Sequence, residues 1–314
     1  TKALSLSRLA YDLESLISPM LAGLLLLVID FHWLFVGTAL GFIGSALLIA
    51  KAGFPARRTK EPHRRFTNRL TRGSRIYLAT PRLRGLLCLN LAAAAAGAMV
   101  IVNTVVIVKG HYLGSESDVA VALAAFGLGS MLAAITLPRL LDRLRDRPVM
   151  VAAALVMTLI LLAFGMISSI AGASAWTMFL SVWFALGLCY SMVLTPAGRL
   201  LRRSAHDEDR PAVFAAQFAL SHACWLMTYP LAGWIGHAFG MGPAMIALGG
   251  LALIGAAAAW IAWPAEDPEM VEHIHADLPA GHPHLRDAVR RGGVWRHRHV
   301  FVIDDEHRAW PTQG

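Results

Sequence analysis

The end of the chain, after Trp263, is rich in histidine. It holds seven of the 13 histidines, arranged as three His-x-His pairs and one single residue: His273/His275, His282/His284, His297/His299 and His307. Alternate residues of a strand share a face, so each pair presents two imidazoles about 7 Å apart at their backbones. Zn, Ni and Co accept such ligands. The spacing predicts a divalent-metal site or sensor; the alternative is a solvated tail whose histidines only aid solubility.

The same tail alternates as strands do. Val271, His273, His275 and Asp277 would share one face of a strand, and so would His297, His299, Phe301 and Ile303. We therefore predict two short strands that could pair, with their histidines on one face.

A second group of candidates lies in the apolar stretch 211–235. His222, Trp225 and Tyr229 share one helical face with Phe218, and Gln217 lies beside it. An imidazole on this face could protonate or bind a substrate, with aromatic rings walling the site. The alternative for His222 is a structural hydrogen bond to a neighbouring helix.

Two carboxylates in the first apolar stretch are candidates for substrate or proton coupling. Asp12 lies four residues after Arg8, a spacing that favours an ion pair near the membrane interface. Glu14 has no such neighbour, and a carboxylate in a medium of low dielectric has a raised pKa, as reversible proton binding requires. The alternative is that Glu14 reaches the lipid headgroups.

Apolar stretches of membrane-spanning length must position these residues. Each is near the roughly 20 residues that cross hydrocarbon, and they cover residues 9–29, 31–50, 85–108, 119–137, 149–170, 175–194, 211–235 and 241–263. Hydrophobic residues make up 56% of the chain and charged residues 15%, against about 25% charged in soluble domains. The predicted fold class is an all-α polytopic membrane protein with eight transmembrane helices and a small tail.

Basic residues lie almost entirely on one side of these stretches. Lys109 alone falls on the other side, so the positive-inside rule predicts that both chain ends lie on the cytoplasmic side of the membrane. We expect this membrane to be a bacterial-type inner membrane. The net charge of +8 then orients helices and meets anionic lipid, which argues against nucleic acid as a partner. The lipid bilayer is the expected partner.

Charge and connection lengths divide the chain into four parts. Residues 1–50 hold the first two spans, 51–84 a basic cytoplasmic linker, 85–263 a six-helix bundle and 264–314 the histidine-rich tail. Within the linker, the helical spacing of Phe66, Leu70, Gly73 and Tyr77 predicts an amphipathic helix at the headgroups, with a solvated linker as the alternative. Pro81 should end it.

Three short segments carry a family resemblance. They are the entry to the third span, Arg75 to Arg84; the loop Pro138 to Arg147, which keeps Asp142, Arg143 and Arg147 of a known gating pattern; and Ser18-Pro19-Met20-Leu21-Ala22-Gly23. The chain resembles the major facilitator superfamily of secondary transporters from that family's fifth helix through its twelfth. The resemblance implies a further four helices before Thr1, and the last segment, similar to an exporter kink, favours efflux.

The predicted function is secondary active transport, as proton-coupled efflux of a small solute such as a divalent metal. Export of an organic compound, with a structural or regulatory tail, is the alternative, and a permease subunit served by a separate ATPase is a third. Catalytic motifs such as His-Glu-x-x-His are absent from the sequence, which argues against an enzyme. No cofactor is required beyond Ni, Co or Zn at the tail, and the sequence makes no prediction of oligomeric state.

Overall fold

The protein is a bundle of long helices with a small β-sheet near its C-terminal end. The computed structural model describes residues 25, 31–52, 66–172, 174–268, 270–275, 282–285, 288–291, 294–307 and 309–311. Apart from Leu25, the predicted first span lies outside the described residues, and so do Asp12 and Glu14.

The described helices follow one another with short connections through most of the chain. They are α1 (Phe31–Lys51), α2 (Phe66–Ala79), α3 (Pro81–His111), α4 (Glu116–Leu141), α5 (Asp146–Ala171), α6 (Trp176–Leu194), α7 (Ala197–Arg203), α8 (Arg210–Phe239) and α9 (Met241–Ala262). The tail adds β1 (Met270–His275), a single 3-10 turn (Pro283–Leu285), β2 (Val289–Arg291) and β3 (Val294–Val300).

Six segments of the described residues could span a membrane. These segments are long and apolar enough to cross a bilayer: α1 from His32, α3, α4, α5, α6 continued through α7, and α9. Each coincides with a predicted span. The predicted span at 211–235 corresponds to α8, which has 30 residues but is not among these six segments. The prediction of an all-α polytopic membrane protein is confirmed.

Helix α3 is the centre of the bundle. It packs against α5, α6, α8 and α9, and its alanine run, residues 92–96, is buried. A helix that is apolar all round belongs in the interior. Small side chains also let neighbouring backbones approach closely, which holds helices together where lipid removes the hydrophobic drive.

Glycines form the closest of these contacts. A Cβ added to Gly129 of α4 would collide with the carbonyl oxygen of Phe184 on α6, and one added to Gly187 of α6 would collide with that of Phe126 on α4. The two helices therefore interlock through reciprocal glycines. Gly250 of α9 differs from these two glycines, because a Cβ added there would have no atom within 4 Å.

The linker contains the expected helix, but its surroundings differ from the prediction. On α2, Ile76 and Tyr77 are buried, and a Cβ on Gly73 would collide with the carbonyl of Ala212 at the start of α8. The apolar face of α2 therefore packs on protein. Thr80 separates α2 from α3, whose first residue is Pro81.

The tail forms a three-stranded antiparallel sheet in the order β1-β3-β2. The two predicted strands are present and paired, with Val271 opposite His299 and His273 opposite His297. The short β2 was not predicted. Phe301 and Ile303 lie just beyond β3, and both are buried.

A compact joint connects the tail to the bundle. Trp263, directly after α9, is 1% exposed, and a Cβ on Gly85 of α3 would lie 2.6 Å from its Cβ. The Trp263 indole donates a hydrogen bond to Asp267 (3.2 Å), and Arg82 of α3 donates to the same carboxylate (3.0 Å). Arg203 pairs with it as well.

Candidate metal centre

Five imidazoles meet beside the sheet of the tail. They belong to His273 on β1, His284 on the 3-10 turn, His297 and His299 on β3, and His307 in the following turn. One ring nitrogen of each lies within 4.8 Å of those of all the others. We refer to this set as the five-histidine cluster.

Backbone carbonyls orient two of its rings. Nδ1 of His273 lies 3.2 Å from the carbonyl oxygen of Val271, and Nδ1 of His299 lies 2.7 Å from that of Val300. A carbonyl only accepts, so each Nδ1 carries the proton and each Nε2 keeps its lone pair. Nε2 of His299 is buried and has no hydrogen-bond partner among the described residues. A bound cation would satisfy this buried acceptor.

Carboxylates orient two further rings. Nδ1 of His307 lies 3.0 Å from Oδ1 of Asp304, and Nδ1 of His284 lies 3.1 Å from Oε2 of Glu306. Metal-binding histidines generally donate their second N–H to a carboxylate or a carbonyl, which fixes the ring and raises its basicity. The sequence shows Asp304 and Glu306 among the acidic residues near the histidine pairs, but it does not predict which histidine each one contacts.

The cluster has the dimensions of a transition-metal site. Nε2 of His273 lies 3.0 Å from Nε2 of His307, whereas two nitrogens bound to one tetrahedral zinc lie about 3.3 Å apart. Nitrogens at opposite corners of an octahedron lie about 4.2 Å apart at similar bond lengths. The 4.8 Å limit of the cluster is close to that value. Small movements of the rings would therefore seat one divalent ion.

Two of the seven predicted histidines are placed differently. The ring centroid of His282 lies 6.5 Å from that of His284, and its Nε2 lies 4.0 Å from Glu306, outside the cluster. The pair adjoins a 3-10 turn rather than a strand, so its two rings do not share a face. His275 ends β1 opposite Trp295, and its side chain lies outside the described ones.

Asp304 links the cluster to the helical bundle. Its Oδ2 lies 3.4 Å from Nε2 of His206, in the connection between α7 and α8. Burial alone would favour the neutral acid, but hydrogen bonds from His206 and His307 outweigh burial and hold the pKa of Asp304 well below its usual range. The same contact with Asp304 raises the pKa of His206.

The neighbouring carboxylate makes a second link. Asp305 accepts a hydrogen bond of 2.7 Å from Arg72 of α2. Arg72 is also bidentate with Asp209, the N-cap residue of α8, and one of those two bonds measures 2.7 Å. Arg72 and Asp209 are both buried. Planar paired recognition of this kind is specific to arginine and a carboxylate.

The predicted gating residues occupy the connection between α4 and α5. Asp142 and Arg143 are exposed, and Asp142 is the C-cap residue of α4. Arg147 donates to the carbonyls of Trp263 (2.7 Å) and Trp260 (3.0 Å) at the end of α9. A cation is favourable at the C-terminus of a helix, so Arg147 binds the first turn of α5 to the last turn of α9.

The buried carboxylate of this region is Asp146, which sequence reasoning had passed over. It is 5% exposed and accepts a hydrogen bond from Arg199 of α7. Asp146 and Arg199 line a cavity of about 590 Å³ together with Arg145, Arg147, Arg203 and the residues that follow α9. The lining of the cavity therefore carries charges of both signs.

Comparison with known proteins identifies the family. The family model of the Major Facilitator Superfamily matches residues 86–303, from α3 into the turn after β3. This chain belongs to the major facilitator superfamily. No curated protein and no solved structure gives a significant match. The chain is therefore a multi-pass membrane protein that is embedded in the lipid bilayer. It is a secondary transporter of a small-molecule substrate.

In this superfamily transporter, the candidate pathway residues of α8 differ in exposure: His222 and Tyr229 are exposed, whereas Gln217 and Trp225 are half-buried. His222 is exposed, and its ring centroid lies 4.0 Å from that of Phe218. Its Nδ1 lies 2.8 Å from the carbonyl oxygen of Phe218. The hydrogen bond is thus made within α8. The ring centroids of Trp225 and Tyr229 lie 4.9 Å apart, so the predicted aromatic face is present.

Gln217 has a partner in the linker helix. The Tyr77 hydroxyl of α2 donates a hydrogen bond to Oε1 of Gln217, and Tyr77 is buried. This contact holds Gln217 at the α2–α8 contact, beside the aromatic face rather than within it. The spacing of Tyr77 within its own helix gave no sign of this partner.

Proposed function

We propose that this transporter exports a divalent metal ion in exchange for protons and that the five-histidine cluster binds that ion on the cytoplasmic side. The convergence of five ring nitrogens within 4.8 Å carries the proposal. Their outer hydrogen bonds support it, because four of the five rings already have an acceptor at Nδ1. Preorganised ligands bind metal more tightly than flexible ones.

The ligand set favours a borderline metal ion. Imidazole nitrogens suit Zn, Ni, Co and Cu(II), whereas thiolates would select softer ions. The cysteines Cys88, Cys189 and Cys224 all lie on helices of the bundle and not in the tail. Structural zinc sites usually use four ligands, so five nitrogens favour the higher coordination numbers of Ni and Co.

Efflux and proton coupling rest on position and charge. From the positive-inside rule we expect the basic loops, and the tail docked against them, on the cytoplasmic side. A metal site there collects ions from the compartment that an exporter empties. Proton coupling would use Glu14 and Asp12, and we expect Glu14→Gln to lower metal transport more than Asp12→Asn, because the spacing of Arg8 and Asp12 in the sequence predicts an ion pair that Glu14 lacks.

Transport in inside-out membrane vesicles tests this function. An imposed proton gradient, acidic inside, should drive uptake of Ni²⁺ or Co²⁺, and a protonophore should abolish it. The double variant His299→Ala/His307→Ala and a truncation lacking residues 264–314 should each reduce uptake at low micromolar metal by at least about tenfold. His237→Ala, an exposed histidine in the last turn of α8, serves as the matched control.

Export of an organic compound is the second candidate. The face formed by Phe218, Trp225 and Tyr229 favours it, because Phe218 and Tyr229 are 65% and 38% exposed and flat aromatic surfaces bind apolar or cationic organic molecules. Unchanged metal uptake in both tail variants, with dye efflux lowered by Trp225→Ala, would favour this function over metal export.

A further inference from the structure

The turn after β3 reaches two parts of the bundle at once. Asp304 lies 3.4 Å from His206, and Asp305 accepts a hydrogen bond of 2.7 Å from Arg72 of the linker helix. Arg72 also pairs with Asp209 at the start of α8. The end of the tail, the linker helix and the entrance of α8 therefore meet at one point.

The same turn contributes to the five-histidine cluster. Oδ1 of Asp304 accepts hydrogen bonds from Nδ1 of His307 (3.0 Å) and from the backbone N–H groups of Glu306 (2.9 Å) and His307 (2.7 Å). One oxygen of Asp304 thus holds a cluster histidine, while the other lies next to His206 of the bundle. A single carboxylate connects the two sites.

We propose that residues 304–307 form a metal-responsive latch: an ion in the five-histidine cluster holds this turn against α2 and the α7–α8 connection, and loss of the ion releases it. The inference rests on the proposed metal binding. A metal bound at Nε2 of His307 fixes the ring and makes its Nδ1–H a stronger donor to Asp304. The ion also joins the turn to β1 and β3, which supply the other ligands.

The joint at the other end of the tail has no cluster histidine. Asp267 is held by Arg82 (3.0 Å), by Arg203 and by the indole of Trp263. These contacts persist whatever the cluster contains, so metal should control the tip of the tail and not its attachment. The latch would then link metal occupancy to the position of α2, which precedes the helices that rearrange during transport.

Thermodynamic linkage gives the latch a quantitative signature. If metal favours the docked turn by some factor, loss of docking must weaken metal binding by the same factor. The bundle-side variants His206→Asn and Arg72→Gln change no cluster histidine and leave the Asp304–His307 bond in place. We expect each to lower metal affinity by about 5-fold or more, within the usual range of coupling between sites.

Distances between two spin labels test the latch in the whole protein. One label replaces Leu78 on the exposed side of α2 and the other replaces Ala309, just beyond the cluster; both positions are exposed, and the three native cysteines are changed to alanine. Zn²⁺ is the probe, because it is diamagnetic. We expect Zn²⁺ to narrow a broad distance distribution to one short distance, and calorimetry on the same samples to show one ion bound per chain.

The variants separate the latch from the metal site. With His206→Asn or Arg72→Gln, Zn²⁺ should still bind but should no longer narrow the distribution. Asp207→Ala, which removes an exposed carboxylate paired with Arg210, should behave as the parent protein does. Thermal unfolding and gel filtration verify that each variant is folded.

Two results would overturn the proposal in different ways. Stoichiometric Zn²⁺ binding with an unchanged distance distribution would eliminate the latch and leave the metal site standing. Absence of Zn²⁺ binding to the parent protein, with Ni²⁺ and Co²⁺ equally inactive in calorimetry, would eliminate both the metal site and the latch.

Discussion

His273 and His297 lie directly opposite each other in the β1–β3 ladder, and their ring centroids are 4.5 Å apart. Side chains of directly opposed residues on one face of an antiparallel pair interact most closely. The register of the two strands therefore decides whether the cluster forms. A shift of one strand by one residue would turn its imidazole to the other face of the sheet and separate it from its partner.

Substitution of a histidine should weaken metal binding strongly only if that histidine belongs to the five-histidine cluster. Its presence in a His-x-His pair should not be sufficient. We expect His299→Ala to weaken Ni²⁺ binding by more than about 100-fold, beyond the 10- to 100-fold typical for loss of an outer partner. His282→Ala should change it only a few-fold, because its ring lies outside the cluster. Calorimetric titration of the purified protein measures both, and equal effects would contradict the assigned ligand set.

The buried pair of Arg72 and Asp209 should be important for stability. Asp209→Ala leaves the arginine buried without its bidentate partner, and removing one member of a buried pair destabilises a protein by about 3–5 kcal/mol. Asp207→Ala, in the exposed pair with Arg210, should change stability by less than about 1 kcal/mol. Thermal unfolding in detergent compares them, and similar effects of the two variants would refute the prediction.

The reciprocal glycines of α4 and α6 should tolerate no side chain. Gly187→Ala forces a methyl group into the carbonyl of Phe126, and overpacking of this kind costs about 1–3 kcal/mol. Gly250→Ala is the control: an added Cβ has no atom within 4 Å, and alanine favours a helix by up to about 1 kcal/mol over glycine. We expect opposite shifts of the unfolding temperature for the two variants.

The contact between His206 and Asp304 should depend on pH in a defined direction. The pKa of His206 is raised in the folded protein, so this contact stabilises the docked tail fully below about pH 6.5, the ordinary histidine value. Its contribution is lost as the pH rises through the raised value. Asp304 stays ionised throughout, since its pKa is lowered.

Nuclear magnetic resonance of the metal-free protein measures this dependence. We expect the pKa of His206 to fall toward the ordinary histidine value in Asp304→Asn, because the amide removes the negative partner. The same substitution should flatten the pH dependence of thermal stability between pH 6 and 8. A His206 titration identical in both proteins would show that Asp304 does not stabilise the imidazolium.

The fold was largely predictable because lipid imposes a simple rule on sequence. Apolar length and the distribution of arginine located α1, α3, α4, α5, α6 and α9 within a few residues of their observed ends. The packing of α2 was not predictable, since the helical spacing that includes Gly73 gives no sign that Ala212 lies beside it. Close approach between distant segments leaves little local signal.

The candidate site was predictable in composition and not in geometry. Alternation of His297 and His299 with exposed residues predicted that both rings share a face, and they do. The sequence treated His282 as their equal, because spacing alone cannot distinguish a strand from a 3-10 turn. Asp304 and His206 lie 98 residues apart, and only the folded chain shows that they meet.

The joint at Trp263 affects how motion passes between the two parts of the chain. Asp267, only five residues beyond the last helix, already forms ion pairs with Arg82 of α3 and Arg203 of α7. The connection between α9 and the β-sheet is consequently short and fixed by these contacts, so the sheet is rigidly attached to the helix. Any tilt of α9 during a transport cycle would therefore move the sheet with it, and a fluorescent label on the sheet would report that tilt from outside the bilayer.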